Sequence, residues 1–491
     1  MVGSATNGRL SSATKWIVGV GAGTGIGFGL TDGQLVAVAA LIPLSLALLV
    51  LVVVLVEDTD RRFVMSAVAL AFAIRVGMAS VVYIGSIALG KDGYTSGDDR
   101  LYADTAWYVA QFWRGTPVTG FVPPDWNGYA YLLGTYTYLE AVIFFALGFQ
   151  LLLMCFLNAA LGAACIVPMW IISKSVFGVR AAQISALVIA VFPSLVVFSA
   201  VNLKDALNTL LVAFVLLGAL RFQLRPAALA LACAFVALEP IRGLRNHLFV
   251  GLAALVPLAV GLAPNLNLRS RVSWTGGAVL LSFILLVANS QITGTQIVPS
   301  QLLQEMERFR TALAYGRTAI EEAKAPIQTA TPTSATIPPS NISPGQVPVV
   351  SDPAEDPDAR VVAATAKYFP IGLAYALFAP FPWRAERLVD VASVPDTLAW
   401  YVIMAAMTWT TWHFRSRWRY FAPCLLFVAG LLVLFALVEG NVGTLLRHRS
   451  LFMPFAIVVA SPALAALMSN AAGLSSAVVD WKVPGQGQSR A

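Results

Sequence analysis

Charged side chains are scarce in this chain, 12% of 491 residues, where a soluble domain carries about 25%. So few charges cannot cover a water-facing surface, which excludes an ordinary soluble protein. Cysteine is also scarce. Cys155, Cys165, Cys233 and Cys424 all fall inside apolar segments and none stands in a CxxC pair, so the pattern speaks for core packing and against a disulfide scaffold or a thiolate metal site. The net charge is only +7, and no basic block has the interleaved aromatics of a nucleic-acid surface, so no nucleic-acid partner is expected. The N-terminus is polar and Gly-rich, without the apolar stretch and small-residue cleavage site of a secretory signal. No internal repeat is visible.

What fills the chain instead is apolar sequence. Hydrophobic residues make up 58% of it and mean hydropathy is +0.76. Long apolar runs occupy 35–56, 63–90, 151–173, 182–200, 206–222, 226–241, 249–264, 275–290, 394–414, 420–438 and 450–468. A membrane-spanning helix needs about 20 such residues. With two ambiguous segments, the Gly-rich 16–30 and the Pro-rich 368–383, these runs predict an all-α, multi-pass membrane protein of about 11–13 transmembrane helices. The stretch 368–383 reads as interfacial or re-entrant.

Lysine and arginine orient the set, because cytoplasmic loops carry the excess of positive charge. EDTDRR (57–62), SKSVFGVRAAQ (173–183), RFQLRP (221–226), NLRSR (267–271) and RSRWR (415–419) alternate as expected of cytoplasmic loops. The opposite face then receives 91–150, 201–205, 242–248, 291–393 and 439–449. The expected organisation is an N-terminal segment (1–34), a transmembrane module (35–290) with its first external loop at 91–150, and a large external loop (291–393). A second transmembrane module (394–468) and a cytoplasmic tail (469–491) follow. Within the large loop, 301–323 reads as a polar helix and the Pro/Thr/Ser-rich 325–358 as a flexible tether.

The cytoplasmic loops look like plain charge anchors, whereas the outer ones mix acids and bases at helix ends. Charge there is costly unless it is paired or functional. Four clusters stand out. Asp98-Asp99-Arg100 offers a general base with an orienting partner, a divalent-cation chelate, or simply a helix cap. Asn202-Leu203-Lys204-Asp205 is either a tight polar turn or a grip on a phosphate and a sugar hydroxyl. Arg242 and Arg245, within Glu239–His247, sit on a face that should be poor in positive charge, which calls for either an anionic ligand or a misplaced helix boundary. Arg447-His448-Arg449 opens an apolar run and departs most clearly from the charge rule; arginine forks hold phosphate oxygens bidentately. Arg75 and Glu140 lie in apolar stretches, where they pair within the bundle or snorkel.

The stretch Asp98-Asp99-Arg100-Leu101-Tyr102-Ala103 resembles the Asp-x-x-x-Tyr-Ala signature in the first extracytoplasmic loop of GT-C glycosyltransferases. That superfamily includes protein O-mannosyltransferases and the lipid A aminoarabinose transferase. The similarity continues through a juxtamembrane amphipathic segment at 129–150, the turn 177–182, Pro193 and Asp205. PFPW (380–383) and GTLLRHR (443–449) are similar to sequences of bacterial enzymes of this kind. The resemblance implies an inverting transfer of sugar from a polyprenyl-phosphate donor to a glycan, lipid or protein acceptor. It places the reaction at the outer face of a membrane, here a bacterial plasma membrane. It makes Asp98 the base, gives Lys204 and Asp205 a part in holding the donor, and assigns the phosphate to Arg447 through Arg449. Arg100, Tyr102, Arg242 and Arg245 join the binding set. One departure is Leu101, where a relative carries arginine; Arg100 is the nearest substitute.

No cofactor is implied with certainty; Mg²⁺ or Mn²⁺ at Asp98 and Asp99 stays open. Two other functions compete. An O-antigen-type ligase or polymerase would draw its base from the large outer loop, which is poor in candidates. A transporter or flippase of lipid-linked sugars would place charge near the bilayer midplane on broken, repeated helices.

Overall fold

The computed structural model describes residue 23 and residues 34–116, 130–293, 369–384, 388–438 and 442–471. The segment 16–30 (but for Gly23), the helix expected at 301–323, the tether 325–358 and the tail from 472 lie outside these. Two compact units emerge: Met1–Thr295 with Pro380–Leu431 and Leu446–Ala491, and Gln296–Ala379 with Leu432–Leu445. In the second unit, Phe369–Phe378 is a short apolar helix, at about 15 Å too short to cross a bilayer.

The described residues form helices and no strand, as lipid demands, since every backbone N–H and C=O must find its partner within the chain. Among the described residues, eight helices are long and apolar enough to cross a membrane: Leu35–Leu55, Asp58–Ala88, Leu151–Phe177, Asp205–Leu224, Leu268–Ser290, Val391–His413, Arg415–Val438 and Gly443–Met468. The protein is an all-α, multi-pass integral membrane protein. Leu35–Leu55 and Leu268–Ser290 are each only 17% buried, so their apolar surfaces face lipid. Leu151–Phe177 and Gly443–Met468, at 83% and 78%, form the centre.

Three expected runs fall short of full spans. The run 182–200 breaks at Phe192 into Val179–Val191 and Pro193–Phe198. The runs at 226–241 and 249–264 become Ala228–Leu244 and Asn246–Gly261, which meet at Arg245. The break at Phe192 explains Arg75. Proline lacks the N–H that would serve Ile189 O. The wholly buried Arg75 donates Nη2 to Ile189 O at 3.1 Å and Nη1 to Ala190 O at 2.8 Å. The freed Ser194 N–H donates to Asp396 Oδ1 at 2.8 Å. Arg75 therefore neither pairs with Glu140 nor snorkels; it closes a broken helix.

The five loops expected on the cytoplasmic face gather at one end. Lys174 Nζ lies 2.5 Å from Glu57 Oε2 and 2.6 Å from Asp60 Oδ2, with Arg221 in electrostatic reach of Glu57. Asn265 donates to Gln223 O and Leu224 O. The Phe177 ring packs 6.0 Å from Phe414 and 5.6 Å from Phe421, on either side of RSRWR.

Candidate functional site

The first outer cluster builds a helix start. Ser96 caps the Gly97–Trp113 helix: its hydroxyl accepts from Asp99 N–H, and the Asp99 carboxylate accepts from Ser96 N–H at 2.9 Å. This reciprocal box satisfies two otherwise orphaned donors. Asp99 also accepts from Thr95 N–H and hydroxyl at 2.7 and 2.6 Å and from Arg100 N–H at 2.8 Å. It is 1% exposed, and its lone pairs are spent on the cap.

Asp98 stands one position earlier, about 100° round the helix, and turns outward. Its Oδ2 accepts from Arg447 Nη1 at 2.5 Å. Arg447 Nε donates to Asp205 Oδ2 at 2.6 Å, and Asp205 Oδ1 accepts from Arg245 Nη2 at 2.5 Å. Arg245 Nη1 meets His448 Nε2 at 2.8 Å. Asp98, Arg447, Asp205, Arg245 and His448 thus form one chain of polar contacts, drawn from segments up to 349 positions apart. Asp205 opens its helix and is 2% exposed. A carboxylate there suits the positive end of the helix dipole, and two guanidinium groups offset its burial.

Lys204 and Tyr102 complete the group. Lys204 Nζ lies 5.6 Å from the centroid of the Tyr102 ring and, among the described residues, makes no ion pair with a carboxylate. Burial first, then the charge of Arg245, holds its ammonium pKa down to about 8. Burial raises the Tyr102 phenol above its ordinary range, against the opposing pull of Arg447. Among the described residues the group holds three cations, Lys204, Arg245 and Arg447, against two carboxylates, Asp98 and Asp205.

The turn that carries Lys204 and Asp205 is held from behind by Asn158 and Tyr136, which the sequence reading passed over, together with Asn202 and Glu140. Asn158 Nδ2 donates to Val201 O at 2.8 Å, Leu203 O at 3.0 Å and the Tyr136 hydroxyl at 2.7 Å. That hydroxyl donates to Asn202 Oδ1 at 2.6 Å, and Asn202 Nδ2 donates to Glu140 Oε1 at 2.6 Å. Glu140 therefore pairs with Asn202. The available signal was a lone amide, Asn158, inside an apolar run. Gly134, at φ +67°, lies so close to Gly243 that a Cβ on either would strike the other strand of chain, which requires glycine at both. Beneath Asp205 a cavity of about 30 Å³ is lined by Arg75, Ser199, Thr209 and Ser450, room for a water or two.

Four expected site residues point elsewhere. Arg100 lies over the Tyr94 ring at 5.3 Å and 3.6 Å from Asp104. Arg242 pairs with Glu239. Arg449 is 1% exposed and lies over Trp400 at 5.3 Å, with Asp396 in electrostatic reach. Asp99 is the cap. Asp98 and Asp99 do not fit a divalent cation as a chelating pair, since protein donors occupy Asp99 and Arg447 occupies Asp98. Among the described residues no three His, Cys, Asp or Glu side chains gather as a metal site.

No family model and no curated protein matches the chain. Among solved structures it is similar to the archaeal oligosaccharyltransferase AglB from Archaeoglobus fulgidus, in complex with an inhibitory peptide and a dolichol-phosphate. The likeness covers 84% of this chain and 52% of that one, at 15% identity and a TM-score of 0.49. The chain spans about half the length of that protein. The function has to be argued from the residues of the site.

Proposed function

We propose that this protein is an inverting glycosyltransferase that moves a sugar from a polyprenyl-phosphate carrier to an acceptor hydroxyl at the outer membrane face. The observation that carries this reading is the pairing of an outward carboxylate, Asp98, with a half-buried cradle holding more positive than negative charge. The cradle suits an anion with an apolar tail, whose head rests at the membrane surface while the tail stays in lipid. Lys204, Arg245 and Arg447 hold the phosphate, with His448 and Tyr102 beside them. Asp98 takes the proton of the acceptor hydroxyl. The acceptor oxygen bonds to the anomeric carbon, and the bond from that carbon to the phosphate oxygen breaks, its electron pair leaving with the phosphate. One displacement inverts the anomeric centre and needs no covalent intermediate. The base contributes about 10²–10⁴-fold, and the cations stabilise charge growing on the leaving phosphate.

Arg447 and Arg245 form the phosphate grip in this reading; Arg449, turned to Trp400, does not take part. A transporter would leave a buried charge such as Arg75 to the cargo, whereas helix carbonyls and Ser199 engage it.

The test is sugar transfer from a panel of polyprenyl-phosphate sugars. Asp98→Asn lowers turnover at least about 100-fold with an unchanged melting temperature, and full turnover would remove Asp98 from the chemistry. Arg447→Ala weakens donor binding by roughly 10–100-fold, the loss of charge-assisted hydrogen bonds.

A further inference from the structure

The contact between Asp98 and Arg447 sets the proposed base against the proposed phosphate ligand. Arg447 is a fork with two unequal edges. Its Nε edge is fixed on Asp205, whose side chain is 3% exposed and which Arg245 also holds. Its Nη1 edge meets Asp98, whose side chain is 55% exposed. A phosphate reaching Arg447 from the open side finds that edge occupied by a carboxylate, which repels it at short range. Among the described residues, Lys204, Arg245, His448 and Tyr102 also face this spot, with His247 in electrostatic reach of Lys204, Arg245 and His448, and none of them adds a second open negative charge.

We infer that Asp98 and the carrier phosphate compete for Arg447, so that re-forming the Asp98–Arg447 ion pair expels the spent lipid phosphate. This rests on the glycosyltransferase reading above. When donor binds, its phosphodiester takes Nη1 and Asp98 swings free to meet the acceptor hydroxyl. Transfer moves one proton onto Asp98, which becomes neutral, and one negative charge onto the phosphate, which becomes a dianion. Arg447 then belongs to the phosphate. When Asp98 gives its proton to solvent, the carboxylate reclaims Nη1 and the product loses the edge of Arg447 that held it. The proton and the lipid phosphate leave in step, and the resting ion pair is the emptied state of the site.

The experiment measures binding of farnesyl phosphate, a short polyprenyl phosphate, and of inorganic phosphate to the purified full-length protein. Wild type is compared with Asp98→Asn, Asp98→Ser and Arg447→Ala, each checked for an unchanged melting transition. Loss of the competing carboxylate tightens farnesyl phosphate binding at least about tenfold in both Asp98 variants and slows its dissociation, while Arg447→Ala weakens it. An equal gain for inorganic phosphate assigns the effect to the headgroup, and a gain for farnesyl phosphate alone makes the tail necessary to reach Arg447; both support the competition. Unchanged or weaker binding in the Asp98 variants, with Arg447→Ala still weaker than wild type, overturns the competition and leaves the phosphate site standing. No binding of either ligand to any form overturns both.

Discussion

Lys204 stands where burial, Arg245 and Arg447 all oppose its charge, against the favourable pull of Asp205 and the weaker one of Asp98. Its pKa falls from the ordinary lysine value of 10.5 to about 8. Between those values the unfolded chain holds a proton that the folded one has released, so stability without ligand rises as pH climbs from 8 towards 10.5 and is flat below 8. An anion reverses the local balance. A bound phosphate draws the proton back, so its affinity is greatest below pH 8 and falls by up to about tenfold per unit above that. A titration of farnesyl phosphate binding from about pH 8 to 10, where the ligand is already a dianion, shows this fall in the wild type. Lys204→Met binds more weakly at pH 8 and gives a flat profile. A slope that survives in Lys204→Met assigns the titration to another group.

At the scale of the helix, the spacing of neighbouring residues decides what could be read in advance. Successive residues on a helix point about 100° apart, so a run of three charges does not face one way as a block. Asp98, Asp99 and Arg100 go respectively to Arg447, to the cap and to Tyr94 with Asp104. Arg447 and His448 face Asp205 and Arg245, while Arg449 faces Trp400. The sequence marks these clusters by composition but leaves their facing to packing. It also hides Asn158, because one amide in an apolar run carries no periodicity. Asn158→Leu removes the amide that meets Val201 O, Leu203 O and the Tyr136 hydroxyl; Val201 O keeps its bond from Leu203 N–H, while the Leu203 carbonyl loses its side-chain donor, a cost of about 1–3 kcal/mol. The melting temperature drops. If Asn158 positions Lys204, the break in the pH profile of phosphate binding also moves upward towards the ordinary lysine value, as the loosened turn lets water reach the ammonium. A lower melting point with the break unmoved limits Asn158 to holding the fold together.

Across the whole molecule, hydropathy and the distribution of Lys and Arg carried more information than any single motif. Apolar runs located the helices, and failed where a proline cut one run and where two runs met at Arg245 after only 17 and 16 residues. At about 25 Å each, those two helices fall short of a bilayer core of about 30 Å. The sorting of loops by charge survives folding. The anchors around Lys174, Arg221, Asn265 and Phe414 meet at one end, and Asp98, Asp205, Arg245 and Arg447 meet elsewhere.

That grouping has a direct consequence in cells. In a protein whose exposed Cys233 is replaced by serine, single cysteines at the exposed positions Leu101→Cys and His247→Cys report on the proposed site. Ser416→Cys and Arg225→Cys, also exposed, report on the basic anchors. A membrane-impermeant maleimide added to intact cells labels the first pair, and labels the second pair only after permeabilisation. Labelling of 101 and 247 from opposite sides would contradict a single site. Labelling of the second pair alone in intact cells would keep the site and turn the protein over, placing the reaction on the cytoplasmic face.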